Sequence, residues 1–420
     1  MNIYKQLDKK FILKENNYFK NLVNFKENLS KPIHRWFNIK EGYSEELVNS
    51  TILSLINSKQ DITIVDPFLG SGTTLISANG NGYNGIGVEV NPFLHFLSSV
   101  KLETYTNKEL NEINDELMIL RQKNENSKNF FNKNIIFNKP KLSIIDKLFP
   151  NNLDEVLMNK GHILKIKNSK VRSFLFLGFL SILEETSTSK KDGNGLKYPK
   201  NKSIPPFSKT LNNKLSQMIN DIKPHKMKNK IFYGSSVSEL KEKNIPNSNY
   251  FTMFSPPYMN CFDYTEIYKL ELWMGDFVKD YSDLKVLRDK SLSSHLNKKY
   301  QKNSSKNSYV NYFVNEIEKN EPWSKKIPFM IDSYFNDMEM VLKNIYDYSM
   351  NNNYCVIVVG NSSYANIAVP TDQILADIGL NIGFSSAEVV VARKLGTSSQ
   401  QYKRVNNVNV LRESLVILKK

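Results

Sequence analysis

The chain has 420 residues, 40% of them hydrophobic, enough for one large domain or two to three ordinary ones with a substantial buried core. Its 57 Lys plus Arg against 42 Asp plus Glu leave +15 at pH 7, which points to a polyanionic partner, nucleic acid or an anionic membrane surface, although a basic proteome alone gives the same surplus. Two cysteines, Cys261 and Cys355, exclude a disulfide framework and a thiolate zinc site, and the five histidines have no metal-ligand spacing, so no metal is expected.

In chain order, the N-terminal stretch MNIYKQLDKKFILKENNYFK is polar and lacks the apolar core of a secretion signal. Short β-branched runs then end in loop residues at Ile62–Asp66, Gly85–Val90, Lys230–Tyr233, Tyr250–Phe254, Tyr354–Val359, Glu388–Ala392 and Ser414–Leu418. Helical or irregular sequence separates them, which predicts an α/β domain with seven strands in a mostly parallel sheet. Ser173–Leu183 is the longest apolar run. It falls short of the roughly 20 residues that span a bilayer and reads as a buried helix. The expected location is therefore the cytoplasm, with no membrane partner.

Two stretches interrupt the strand pattern. Residues 105–230 hold 24 Lys plus Arg and 12 Asp plus Glu, so most of the charge excess sits there. A second polar tract, Lys285–Lys306, has seven basic residues and one acid. Either a solvated surface or a nucleic-acid contact fits such sequence. The division expected is 1–104 as an N-terminal segment and the first part of one α/β domain, 105–229 as a basic insertion, and 230–420 as the second part with a polar insertion at about 276–330.

After the first strand comes Asp66-Pro67-Phe68-Leu69-Gly70-Ser71-Gly72-Thr73-Thr74, followed by a helix-like run. Glycines there permit a sharp turn and close backbone approach, and the helix N-terminus offers free N–H groups. The loop lacks the Gly-Lys-Ser/Thr of a P-loop, and Leu75 stands where a dinucleotide loop needs its third glycine. Glu89, ending the second strand just before Asn91, suits a carboxylate that accepts ribose hydroxyls. The fourth strand ends in Ser255-Pro256-Pro257-Tyr258. Two prolines make a stiff corner whose carbonyls stay free as acceptors, beside a hydroxyl and an aromatic face.

These motifs resemble the amino-group DNA methyltransferases of bacterial restriction-modification systems, with Asp66 to Thr74 like their cofactor motif and Ser255 to Tyr258 like their catalytic motif. The resemblance implies a Rossmann-like class I methyltransferase fold, S-adenosylmethionine as cofactor and double-stranded DNA as partner, and it allows for a companion restriction endonuclease acting on the same site. Ser255 in the first catalytic position is the pattern of the N4-cytosine enzymes, where Asp or Asn marks most N6-adenine ones. Asp66, Pro67, Phe68, Gly70, Ser71, Gly72, Thr73, Glu89 and Asn91 are the implied cofactor residues. Upstream, Pro32 to Phe37 and Ser44 to Leu55 correspond to a second cofactor wall, with Phe37 its candidate. Gly234-Ser235-Ser236 lacks the acid expected near the adenine.

Because the catalytic corner follows the cofactor elements and the chain stops soon after the seventh strand, target recognition is expected from the insertions. Lys190, Lys191, Lys197 and Tyr198 in the first, and Lys298 and Lys299 in the second, are the nucleic-acid candidates. An N6-adenine DNA methyltransferase, an RNA base methyltransferase and a silent nucleic-acid-binding subunit remain as alternatives.

Overall fold

The computed structural model describes residues 3–420 apart from 57–61, 126–138, 194, 224–226, 242–243, 246–248, 301–304 and 397–405. Its strands are β1 Leu13–Glu15, β2 Thr63–Asp66, β3 Asn84–Glu89, β4 Lys190–Asp192, β5 Gly195–Lys197, β6 Asn229–Tyr233, β7 Tyr250–Phe254, β8 Tyr354–Gly360, β9 Ser362–Tyr364, β10 Ile367–Val369, β11 Ser386–Lys394 and β12 Arg412–Lys419.

The main sheet has eight strands in the order β1-β11-β12-β8-β7-β2-β3-β6, and this is a Rossmann-like methyltransferase fold. Only β12 runs antiparallel to its neighbours. All seven expected strands are in it. The eighth is β1, which pairs in parallel with β11 from Leu13↔Val389 to Glu15↔Val391. Three residues with one half-buried side chain carry no alternation to read in sequence. β7 and β8 are buried along nearly their whole length, as strands covered on both faces must be.

After β1 at one edge, the chain crosses to β2, moves outward through β3 to β6, then returns to β7 on the other side of β2. The carboxyl ends of β2 and β7 therefore flank the point where strand order reverses, and ligands of such sheets bind in the crevice there. The glycine loop follows β2 and Ser255 follows β7, so topology alone brings the two motifs together.

Helices Ile327–Tyr348 and Thr371–Ile382 pack on one face of the sheet, and Glu45–Leu55 on the other. The insertion is largely helical, with Asn107–Glu125, Leu153–Leu164, Ser169–Ser181 and Phe207–Asp221 as its longer helices. Residues 174–180 are buried throughout, as expected for the apolar run. The insertion shares one core with Trp36, Phe37, Phe93 and the segment from Phe262 to Leu287. Asp221, at the end of its last helix, accepts hydrogen bonds from Trp36 Nε1 at 3.1 Å and Arg35 Nε at 2.9 Å. That pins the segment Pro32 to Phe37 against the insertion and fixes the strand-free stretch that follows it.

Candidate active site

Asp66 closes β2 and is itself a loop organiser. Its Oδ1 accepts from Phe68 N at 2.9 Å and its Oδ2 from Thr74 Oγ1 at 2.5 Å, while Tyr43 braces Thr74 from behind. Gly70 and Gly72 have φ of +52° and +83°, a region that side chains with a Cβ avoid. Gly70 N donates to Glu89 Oε2 at 2.7 Å and Asn91 N to Glu89 Oε1 at 2.8 Å, so the carboxylate ties the glycine loop to the end of β3. Burial raises both the Asp66 and Glu89 carboxyls to about 7, against the pull of the hydrogen bonds they accept.

Asn91 caps the helix Pro92–Lys101 through Oδ1, which accepts from Phe93 N and Leu94 N. Among the described residues its Nδ2 is buried without a partner. A buried donor left unpaired costs free energy unless a ligand satisfies it, and Asn91 lines a cavity.

Two adjoining cavities lie over the sheet's carboxyl edge. The first is walled by Glu89, Asn91, Ser235, Ser236 and Val237, with Leu287, Ser291, Leu292 and His295 opposite. The second runs from Asp66, Ser71, Thr73 and Lys40 to Pro256, Tyr258, Arg393 and Glu413. Ile39, Glu41, Phe68, Gly70, Ser255 and Tyr264 line both, so Ser255 stands at their junction. The orphaned Asn91 donor, the Glu89 carboxylate and the open glycine turn suit a nucleoside in the first cavity.

The corner after β7 is held from the far side. Tyr258 donates from its hydroxyl to Glu413 Oε1 at 2.6 Å, and Arg393 Nε donates to Glu413 Oε2 at 2.6 Å. Burial, reinforced by Glu413, pushes the Tyr258 phenol well above its usual range, so the hydroxyl keeps its proton. Glu41 faces the cavity but is crowded by protein, and this desolvation with Glu413 nearby raises its carboxyl to about 7.

Several expected site residues are elsewhere. Phe37 is in the core against Phe93 and Tyr268 and is not among the residues lining either cavity, whereas Ile39 to Tyr43 line the second. Lys191 is not a surface cation. Its Nζ lies 2.5 Å from Glu271 Oε1, with both side chains 1% exposed. Two rings enclose it, Phe37 and Tyr268, whose centroids lie at 4.7 and 4.9 Å. Lys298 is half-buried and donates to Ser291 O at 2.7 Å. Leu287, Ser291, Leu292, Ser294 and His295 of the tract Lys285–Lys306 line the first cavity, and its residues 301–304 lie outside the described residues. Lys299 is exposed.

Lys190, Lys197 and Tyr198 are exposed, on or just after the hairpin β4–β5, and Lys197 pairs with Asp192 at 2.7 Å. Strand β5 packs against the short helix Tyr264–Ile267, whose first residue lines both cavities. Asn194 of that loop lies outside the described residues. Sequence reasoning missed Glu41, Tyr264, Arg393 and Glu413, which carry no local motif.

A family model described as DNA methylase, for N6 and N4 methylation, matches residues 14–101, the stretch that includes the glycine loop and Glu89. Over nearly the whole chain the protein is similar to the Type II methyltransferase M.BsoBI of Geobacillus stearothermophilus. The two are 29% identical, with 99% of this chain and 91% of that protein covered. M.AvaI of Nostoc sp., also a Type II methyltransferase, is 27% identical over 90% of this chain and 85% of its own. A solved rRNA methyltransferase, aviRa from Streptomyces viridochromogenes, aligns at a TM-score of 0.31 and 7% identity, covering 92% of this chain and 84% of that one. The matched family model is a DNA methylase and the full-length relatives are Type II methyltransferases, in line with the motifs, and the methyl donor of that class is S-adenosylmethionine.

Proposed function

We propose that this chain methylates N4 of cytosine within a specific duplex sequence, drawing the nucleoside end of S-adenosylmethionine into the first cavity and the target base into the second. The observation that carries the reading is Ser255, which lines both cavities at the stiff corner after β7. Bound S-adenosylmethionine supplies an electrophilic methyl group on a sulfonium. Glu89 would accept hydrogen bonds from its ribose hydroxyls, Asn91 Nδ2 would find an acceptor there, and Asp66, once ionised, would hold its ammonium.

An amino nitrogen inside a duplex is out of reach, so the nucleotide rotates out at a cost of roughly a few kcal/mol for unstacking. Tyr258 stacks on the extruded ring. Ser255 Oγ and the Pro256 carbonyl accept hydrogen bonds from the amino group, which draws its lone pair out of conjugation and aims it at the methyl carbon. Transfer would break the donor's C–S bond as the C–N bond forms, leaving the neutral thioether, and the methylated nitrogen would release one proton to solvent. Positioning and electrostatics supply the rate. Lys190, Lys197, Tyr198 and Lys299 are offered to the DNA, with sequence recognition in the 105–229 insertion. A companion endonuclease cutting the same unmethylated site completes this reading.

The test is mass spectrometry of duplex DNA modified by the purified protein. N4-methylcytosine is the expected product. N6-methyladenine would retain the enzyme class and overturn the argument from Ser255.

A further inference from the structure

We propose that Arg393 reads the ring edge of the target base and makes the second cavity fit cytosine; this rests on the reading of that cavity as the seat of an extruded base. Near the end of β11 the register slips between Val391 and Arg393, a bulge of the kind that re-aims a side chain. Beyond the slip Arg393 stands opposite Glu413, and Glu413 opposite Gly360, in a row across three strands. Tyr258 lies on Gly360 at the end of that row.

Glu413 is 4% exposed and spends one carboxylate oxygen on Tyr258 and the other on Arg393 Nε. One rigid group thus fixes both the stacking ring and the guanidinium. Among the described residues Arg393 makes no further hydrogen bond, so its two terminal nitrogens remain as paired donors at the cavity wall.

A guanidinium fork needs two adjacent acceptors. Cytosine offers them, N3 and O2, directly beside the amino group that Ser255 and Pro256 hold. Adenine has a single ring acceptor, N1, next to its amino group and a C–H beyond it, so one donor would be left unpaired. β11 is four strands from β2, about 19 Å at the usual strand spacing, which sets the Arg393 backbone at the end of the second cavity away from the glycine loop. A phosphate is a poor match because Glu413 already neutralises the arginine and Glu41 stands nearby.

The experiment uses the full chain, first mapping its site from methylated bases in DNA of expressing cells. Arg393→Gln and Arg393→Lys are then assayed on duplexes carrying cytosine or an abasic site at the target position. Both variants should lose about 10- to 100-fold in kcat/KM on the cytosine duplex, the worth of one bidentate base contact. Affinity for the abasic duplex and for S-adenosylmethionine should stay at the wild-type value. An equal loss on the abasic duplex would make Arg393 a backbone contact, and an unchanged kcat/KM would leave it with no role; either result overturns the proposal. Arg393→Lys keeps a charge beside Glu413, so it decides the matter if Arg393→Gln melts early. Wild-type methylation of adenine would instead overturn the target assignment, and product analysis reveals that before any variant is made.

Discussion

The ring of Tyr258 rests on the bare Cα of Gly360, where an added Cβ would lie 2.9 Å from Tyr258 Cε2. That ring cannot simply swing aside, because its hydroxyl is anchored on Glu413. Gly360→Ala should therefore displace the ring or the end of β8, with an overpacking cost of about 1–3 kcal/mol. Methyl transfer should fall at least about tenfold, on the scale of a misplaced positioning group. Isothermal titration should show S-adenosylmethionine affinity within about twofold of wild type. Tyr258→Ala should abolish transfer with the same sparing of cofactor affinity; parallel loss of both would detach Tyr258 from the base.

Asp66 and Glu89 give cofactor binding a pH dependence of predictable sign. Both carboxyls are raised to about 7 by burial, so below that pH the ligand-free protein holds protons that an unfolded chain has already shed. Stability from these groups is fully present below the unfolded carboxylate range and is lost as pH rises through about 7. Ligand binding runs the other way, because an ammonium and ribose hydroxyls need the ionised forms. From pH 6 to 8, affinity for S-adenosylmethionine should rise while the ligand-free melting temperature falls. Asp66→Asn should flatten both trends, and titration near pH 6.5 in two buffers should register proton release. Parallel slopes would count against Asp66 and Glu89 as ligand groups.

Asn91 separates a structural role from a ligand role within one side chain. Oδ1 caps the helix Pro92–Lys101, whereas Nδ2 has no partner among the described residues. Asn91→Ser keeps an N-cap oxygen and removes the donor, so stability should hold and cofactor affinity should drop. Asn91→Ala removes both and should also cost about 1 kcal/mol of stability. If Asn91→Ser binds S-adenosylmethionine as tightly as wild type, the orphaned donor serves no ligand.

What the sequence makes legible follows from how local each feature is. The glycine loop and the Ser-Pro-Pro-Tyr corner are contiguous, and β-branched runs mark the strands that carry them, so their meeting at the switch point could be anticipated. Glu413 lies 155 residues from the tyrosine it anchors, and no local pattern announces that hydrogen bond. Phe37 misses both cavities for a different reason. The chain reaches the cavity only after Trp36 and Phe37 have been pulled into the core that the insertion shares. The tract Lys285–Lys306 has the composition of a solvated or DNA-facing loop, yet Leu287 and Leu292 turn inward, and Ser291 and His295 line the cavity beside them.

Lys191 is the sharpest case, since a lysine in a Lys-rich hairpin is ordinarily exposed. Its alternation with exposed Lys190 and Asp192 on β4 sends it inward, where Glu271, Phe37 and Tyr268 enclose it. Lys191→Ala would leave the Glu271 carboxylate buried without its cation, a loss of about 3–5 kcal/mol. Replacing both partners, as Lys191→Met with Glu271→Leu, should recover most of that stability, because the pair's desolvation cost disappears with its attraction. Lys190→Ala and Lys197→Ala should behave in the opposite manner, leaving the melting temperature near wild type. If each contacts a phosphate, each should reduce the slope of log affinity for duplex DNA against log salt by about 0.9. A folded Lys191→Ala protein with normal stability and a reduced salt slope would return Lys191 to the surface and reverse its assignment.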